Sequence, residues 1–482
     1  MANKISIKNF GPIKEANLNI SPLTLFIGPN SSGKSFSSLL IHLFLNQFNE
    51  DKKVYESQNL SSVSLTNLIE NDEKLFNEFK DSLNDYINLK PKINDESFEF
   101  PTEKFLKLIE EGFGRCYTKI IESRLKKNWN VNLNKLNNVH DDSFIISYND
   151  NEFENEDNKI KLKHFSVDLK KISEIKLVDE ISTSMMIFTV NDEFINVNLN
   201  YRLWNEFFNE NWHNEEIEFS LAHILYLICV NNIIKKSIKN SYYVPAAGDE
   251  ILKDMNTYLA DELNSLITSS TVQKQLITNL LTSEKKLKKG HFYELACNLE
   301  RELINGEIKF STDELKEEIV FVDKNYDLEL ELKMLSSSIR ELVPVIIYLK
   351  YFLKKGDTLI IEEPENHLHP KNQLILVKYF TKAINQGLNL IITTHSDYIV
   401  EKFNNFIRLG NAQDEIFEKL GYDKSNVLDY ENVSIYNFKK VGEYSYIAEP
   451  IDINETGFDE DSFNEVNNEL YDESVDIIDG EK

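Results

Sequence analysis

The run Gly28-Pro29-Asn30-Ser31-Ser32-Gly33-Lys34-Ser35 has the residue types and spacing needed to hold a polyphosphate. Its glycines let backbone N–H groups curl around phosphate oxygens, and a helix opening at its end adds the positive pole of its dipole. In such a loop Lys34 neutralises the β and γ phosphates, and the Ser35 hydroxyl ligates a magnesium ion. The context agrees: the apolar run Leu23 to Ile27 precedes it as a buried strand, and Phe36 to Phe48 follows with helical character. The chemistry implied is binding of ATP with Mg2+.

Two further segments supply groups that could act on a bound phosphate. The apolar run Thr358-Leu359-Ile360-Ile361 ends in Glu362-Glu363-Pro364-Glu365, which sets adjacent carboxylates at the carboxyl edge of a sheet, where ligands sit. Glu362 is expected to hold Mg2+, directly or through water, and Glu363 to orient or deprotonate the attacking water. The next apolar strand, Leu388 to Ile392, leads into Thr393-Thr394-His395-Ser396, so His395 is placed to touch the γ-phosphate. A third segment, Leu335-Ser336-Ser337-Ser338-Ile339-Arg340-Glu341, opens an apolar helix. Small hydroxyl residues there make either an anion-binding helix start or an ordinary serine cap, and local sequence does not separate the two.

The elements that must carry these groups read as an α/β fold. Ile5, Ile7 and Phe10 alternate as a strand, with Leu18 and Ile20 in the next. Residues 51–130 read as helical, Ser143 to Leu199 as strands, and Leu203 to Leu303 as helices again. The apolar run Leu221 to Ile234 is too short and too polar to span a bilayer and reads as a buried helix. Strands return at Glu307 to Phe310, Glu318 to Val322 and Leu328 to Leu332. Then Thr358 to Ile361, a helix near Asn372 to Ile384, and Leu388 to Ile392 give the strand–helix–strand signature of a parallel sheet. The expectation is a P-loop ATPase head made of residues 1–50 and 300–410, split by a mixed helical and strand insertion at 51–299. An acidic α+β subdomain, 411–482, follows, with a hairpin at Val433 to Phe438 and Ser445 to Ile453 and a last amphipathic helix on Phe463, Val466, Leu470 and Tyr471. There is no internal repeat or long heptad run, so no long coiled-coil arm is expected.

The order of motifs resembles that of ABC-type ATPases. The phrases Asn9-Phe10-Gly11-Pro12-Ile13, Glu362-Glu363-Pro364-Glu365-Asn366-His367-Leu368-His369-Pro370 and Thr394-His395-Ser396 are similar to those of the SMC, RecF and OLD branch. The nearest resemblance is to OLD-like ATPases that serve as subunits of bacterial phage-defence systems such as PARIS and Septu. It covers residues 1–45 and about 327–400, with some similarity in the tail at Val433 to Phe438 and Gly457. The resemblance implies a homodimer or higher homo-oligomer with composite ATP sites, in which Ser336, Ser337 and Ser338 of one copy close the P-loop of another. It puts His367 and His369 in the loop facing that copy. Two departures stand out: Ser338 replaces the usual signature glycine, which implies slow turnover, and Tyr243-Val244-Pro245-Ala246 lacks the arginine that often accompanies such a phrase. The stretch after His395 is too short for the nuclease domain of OLD proteins, and Asp459-Glu460-Asp461 follows no apolar strand. A separately encoded effector is therefore expected.

Composition bears on partners. Fifty-three Lys and Arg against 80 Asp and Glu give a net charge of −27, which repels phosphate backbones at long range, so DNA binding is possible but unsupported by charge. Lys285, Lys286, Lys288 and Lys289, and Lys159, Lys161 and Lys163, read better as solvated faces. Cys116, Cys229 and Cys297 lie far apart. With no signal-peptide pattern before Lys4-Ile5-Ser6-Ile7 and no membrane span, a cytoplasmic protein is expected. Three readings remain open: an ATPase sensor or regulator with an effector, a RecF-like ATPase of DNA maintenance, and a nucleotide-gated scaffold with little hydrolysis.

Overall fold

In the apolar runs that lead to the candidate residues, successive side chains enter two different cores. Leu23, Leu25, Ile27, Leu359, Ile361, Leu390 and Ile392 join one cluster, whereas Phe26, Ile360 and Ile391 join the other. Period-2 sorting with both faces apolar is what a central parallel strand requires. The computed structural model describes residues 3–45, 97–101, 133–138, 143–148, 151–156, 159–164, 186–190, 194–199, 240–246, 288–310, 319–326, 328–459 and 471–478, with isolated positions at 122, 125–126, 129 and 276.

The chain opens with β1 (Asn3–Phe10), β2 (Ile13–Ile20), β3 (Leu23–Ile27) and α1 (Lys34–Leu45). Its middle contributes β4 (Ser97–Pro101), β5 (Ile145–Tyr148), β6 (Asn151–Glu156), β7 (Lys159–His164), β8 (Met186–Val190), β9 (Phe194–Leu199) and β10 (Ser241–Val244). Next come α2 (Tyr293–Leu303), β11 (Gly306–Phe310), β12 (Ile319–Asp323), β13 (Leu328–Glu331) and α3 (Ser337–Ile347). The chain then runs through β14 (Thr358–Glu362), α4 (Pro370–Asn385), β15 (Asn389–Thr393), α5 (Asp397–Arg408), α6 (Asp414–Leu420), β16 (Val433–Lys440) and β17 (Tyr446–Pro450).

Eleven described strands form one sheet in the order β10-β14-β15-β3-β16-β17-β2-β1-β5-β6-β7. The half from β10 to β16 is parallel throughout. The half beyond β17 is antiparallel apart from the β17–β2 pair. On one face α1 buries Leu40, Ile41, Leu43 and Phe44 against Phe26, Ile360 and Ile391. On the other, α2, α3, α4 and α5 close a second core with Leu299, Val343, Val377, Phe380 and Phe403. This three-layer arrangement is the expected α/β head, with β14, α4 and β15 as its strand–helix–strand unit.

Four expectations need correction. The span 51–130 contains a strand, β4, paired with β9; the alternation Phe98, Phe100 against Ser97, Glu99 was its sequence signal. Within the span read as helical from Leu203 to Leu303, Ser241–Val244 is a strand on the parallel edge of the main sheet. The strands of the insertion are not all apart from the head, because β5 extends the main sheet through β1. The C-terminal hairpin, β16 and β17, lies inside that sheet between β3 and β2, where alternate residues Ile435 and Tyr436 serve the two cores. The run Leu221 to Ile234 and residues Phe463, Val466 and Leu470 lie outside the described residues; 471–478 is helical and exposed.

A buried ion pair fixes the approach to β14. After Pro344, α3 passes into a π-helical turn, Tyr348–Phe352. There Lys350, 0% exposed, meets Glu300 of α2 at 2.7 Å and donates to the Ile308 carbonyl at 2.8 Å. The other oxygen of Glu300 accepts the Ile308 N–H at 2.7 Å. Burial pushes the Glu300 carboxyl above its ordinary range, although Lys350 opposes the shift. Lys350→Met strands this carboxyl, and stability should fall by about 3–5 kcal/mol, read as a lower urea midpoint. Adding Glu300→Leu should recover part of the loss, since the isolated charge is then gone.

Candidate nucleotide and metal site

β3 ends at Ile27, and the loop beyond it turns through residues with positive φ: Gly28 at +128°, Ser31 at +59° and Gly33 at +105°. A Cβ on Gly28 would lie 2.7 Å from the backbone oxygen of Phe438 in β16, and one on Gly33 would lie 2.5 Å from the Ile13 side chain. Both positions therefore require glycine for conformation and for space. The first helical bond, Ser37 N–H to the Gly33 carbonyl at 2.9 Å, starts α1 directly after the loop. Pro29, Asn30, Ser31 and Ser35 are exposed, while Ser32 and Lys34 are buried. The Lys34 ammonium curls back over the loop and donates to the carbonyls of Gly28 at 2.9 Å and Pro29 at 2.8 Å. Burial pulls its pKa down to about 8, against the upward pull of Glu363, Glu365 and Glu362.

The carboxylates arrive on β14. Glu362 is its last residue, in register with Thr393 of β15. Its Oε1 accepts the Tyr243 hydroxyl at 2.8 Å and the Ser38 hydroxyl at 3.4 Å, and its Oε2 accepts the Ala246 N–H at 3.3 Å. Burial, and next the Glu362 charge, hold the Tyr243 phenol well above its ordinary pKa, so it stays protonated and can donate. Glu363 takes a left-handed backbone, φ +46°, with its N–H on the Thr393 carbonyl at 2.8 Å. Its Oε2 accepts Asn366 Nδ2 at 3.2 Å, and the same amide nitrogen donates to the Ala246 carbonyl at 3.3 Å.

His395, two residues past β15, sets Nε2 3.7 Å from Glu363 Oε1. Its backbone N–H donates to Glu365 Oε1 at 2.6 Å. Burial lowers the His395 pKa, Lys34 adds to this and Glu363 opposes it, so the imidazole is neutral near pH 7. Burial raises the Glu365 carboxyl.

The structure thus brings the P-loop residues, Glu362, Glu363 and His395 to one end of the parallel strands. It does not bring the serines there. Ser336 occupies the N-cap position of α3, and its hydroxyl pairs with Ser338 at 2.9 Å. Ser337 accepts from Arg340 at 3.3 Å. Among the described residues no hydrogen bond joins these serines to the P-loop or the carboxylates. His369 caps α4 by accepting the Lys371 N–H at 3.2 Å, and His367 is exposed at φ +59°. Sequence reasoning missed the roles of Ser38, Tyr243, Ala246 and Asn366 as partners of the carboxylates. Ser38 could have been found, since it lies one turn after Ser35 on the same helix face.

For a divalent cation the fit is of a particular kind. Among the described residues no three His, Cys, Asp or Glu side chains gather as a metal centre. Ser38 donates to Glu362 at 3.4 Å, and Ser35 lies one turn before Ser38 on the same face of α1, so a hydroxyl and a carboxylate oxygen are the donors this end of the sheet would offer a cation. That suits magnesium, which takes a few protein oxygens and completes its shell with water and substrate phosphates. Among the described residues no helix is long and apolar enough to cross a membrane.

A phosphate loop, a carboxylate pair and a histidine at one sheet edge define a nucleotide-handling α/β protein. Residues 1–400 match the AAA ATPase domain family, and the chain belongs to it. It is 24% identical over 429 residues to endonuclease GajA of Bacillus cereus (strain HuB5-5), an alignment that takes in 83% of this chain. The chain spans 55% of that relative's length. Among solved structures it is similar to the SMC head domain from Thermotoga maritima, with 11% identity, 94% of this chain and 100% of that chain covered, and a TM-score of 0.35. An SMC head bound to the C-terminal winged-helix domain of ScpA matches at 11% identity, over 93% and 97% of the two chains, with a TM-score of 0.37. Superpositions that loose fix no residue correspondence.

The depressed Lys34 pKa gives a pH dependence with a defined sign. Phosphate beside the ammonium raises its pKa, so nucleotide binds the protonated form more tightly. Affinity should be full below about pH 8 and decline as pH rises above about 8. Titration of a fluorescent ATP analogue in EDTA between pH 7 and 9.5 should show this decline, and Lys34→Arg should flatten it.

Proposed function

We propose that this protein is an ABC-type ATPase of the OLD-like kind, a sensor or regulator that hydrolyses ATP between copies of itself and controls a separately encoded effector. The observation that carries the ATPase reading is the convergence of Lys34, Glu362, Glu363 and His395 on one P-loop. In this reading the loop N–H groups and Lys34 bind the phosphates, and Ser35 and Glu362 hold Mg2+. When bound, Mg2+ would supply positive charge against the negative charge of the phosphates.

Glu363 then takes a proton from the attacking water, with Asn366 on its other oxygen to fix its orientation. Neutral His395, adjacent to Glu363, donates toward the γ-phosphate as charge builds there. Ser336, Ser337 and Ser338 open α3 as a run of hydroxyls at a helix N-terminus, and in this reading they act on the P-loop of a second copy, in a homodimer with composite sites. Ser338 in the signature supports a slow rate. The similarity to endonuclease GajA supports an ATPase that works with a cutting or other effector activity, and the −27 charge disfavours DNA as the direct ligand.

The test is phosphate release from Mg–ATP by the purified protein. Lys34→Ala should abolish binding of nucleotide, and Glu363→Gln should keep binding while slowing release by at least about a hundredfold. Turnover unchanged in Glu363→Gln would sink the assignment of the base. Under ATP with Glu363→Gln, sedimentation should show the chain as a dimer or larger, and Ser336→Arg should return it to the nucleotide-free state. Failure of any second protein to copurify from the native host would count against the effector.

A further inference from the structure

The metal carboxylate of the proposed site is held by residues from a part of the chain that the ATPase motifs do not include. Glu362 has three described donors. One, Ser38, belongs to the P-loop helix. The other two, the Tyr243 hydroxyl at 2.8 Å and the Ala246 N–H at 3.3 Å, come from β10 and the turn that leaves it. Together they engage both oxygens of the carboxylate and so fix its plane as well as its position.

Tyr243 is itself locked. Its ring packs 5.2 Å from that of His42, and its hydroxyl meets Ser38 Oγ at 2.9 Å. His42 in turn meets the Ser241 hydroxyl at 2.9 Å. Both contacts tie β10 to α1. The same turn reaches the second carboxylate: Asn366 Nδ2 lies between the Ala246 carbonyl at 3.3 Å and Glu363 Oε2 at 3.2 Å. Four residues of chain, Tyr243 to Ala246, therefore touch the metal carboxylate directly and the base through one amide.

We propose that Tyr243 is a positioning residue that orients Glu362 for the metal, and that the edge strand β10 sets the geometry of both carboxylates. This rests on the ATPase reading above and deepens it. Among the described strands β10 pairs with β14 alone, and its side chains bond to α1 and to Glu362 together, so a shift of this strand changes the setting of Glu362.

Tyr243→Phe keeps the ring against His42 and removes only the hydroxyl. A hydrogen bond to a charged group is worth roughly tenfold, so the Mg2+ concentration for half-maximal turnover should rise about tenfold in Tyr243→Phe. The KM for ATP at saturating Mg2+ and the melting temperature should stay close to wild type. In a Glu362→Gln background, Tyr243→Phe should add nothing to the metal requirement, the mark of a residue acting through Glu362. Should the wild type bind ATP without turning it over, the same Mg2+ titration is read from fluorescent ATP binding.

An unchanged Mg2+ requirement in Tyr243→Phe, with wild-type turnover or binding intact, would overturn the positioning role and leave the ATPase reading standing. Equal effects of Tyr243→Phe in the wild-type and Glu362→Gln backgrounds would overturn it too. Absence of nucleotide binding in the wild type would remove both.

Discussion

Three carboxylates, Glu362, Glu363 and Glu365, act on one buried ammonium, Lys34, and the site is organised around that imbalance. Burial disfavours the charged forms of Lys34 and Glu365. Its signature is visible at both signs, since Lys34 is pulled down to about 8 and the Glu365 carboxyl is pushed up. A polyphosphate brought to this edge adds further negative charge, so it can settle only with cationic charge beside it. The Glu362 carboxylate, which also accepts the Ser38 hydroxyl, is of the oxygen type that a hydrated divalent cation prefers. The ammonium meanwhile rests on the Gly28 and Pro29 carbonyls, which keeps it folded over the loop rather than on any one carboxylate.

The strain in the backbone is placed where that arrangement needs it. Glu363 leaves the strand at φ +46°, a conformation that costs a non-glycine residue about 1–3 kcal/mol. The turn lets consecutive residues diverge: Glu362 stays with β10 and α1, while Glu363 faces His395. The bond from its N–H to the Thr393 carbonyl holds the turn on β15. A regular strand would have sent the two side chains to opposite faces of the sheet. Departure from the strand is what lets both carboxylates serve one end of it.

The residues that could do chemistry were legible because their signals are local. A P-loop needs eight consecutive positions, and a carboxylate pair or a histidine at the end of an apolar run is read within one strand. The partners were not legible for the opposite reason. Tyr243 and Glu362 are 119 positions apart, and nothing near Tyr243 in sequence states which strand it will border. The edge strand is only four residues long, too short to show a period against a background read as helical. β4 was lost similarly, within a span whose leucine spacing suggested helix. The serine segment was legible as a helix start, and its hydroxyls bond within that start, Ser336 to Ser338 and Arg340 to Ser337.

The C-terminal hairpin shows how composition can mislead about organisation. After residue 410 the chain becomes strongly acidic, and acidic stretches usually lie at the solvated margin of a fold. Yet Val433, Ile435, Tyr436 and Phe438 are buried, and they alternate between the two cores as a central strand must. β16 borders β3 along its whole length, from Val433 on Leu23 to Asn437 on Ile27. Its Phe438 backbone then backs the first glycine of the P-loop, close enough that a Cβ there would collide with it. The family match ends at residue 400, but the sheet that presents the loop does not. The P-loop is built against a strand from the tail, so β16 and β17 belong to the sheet that presents it and are not an appendage to it.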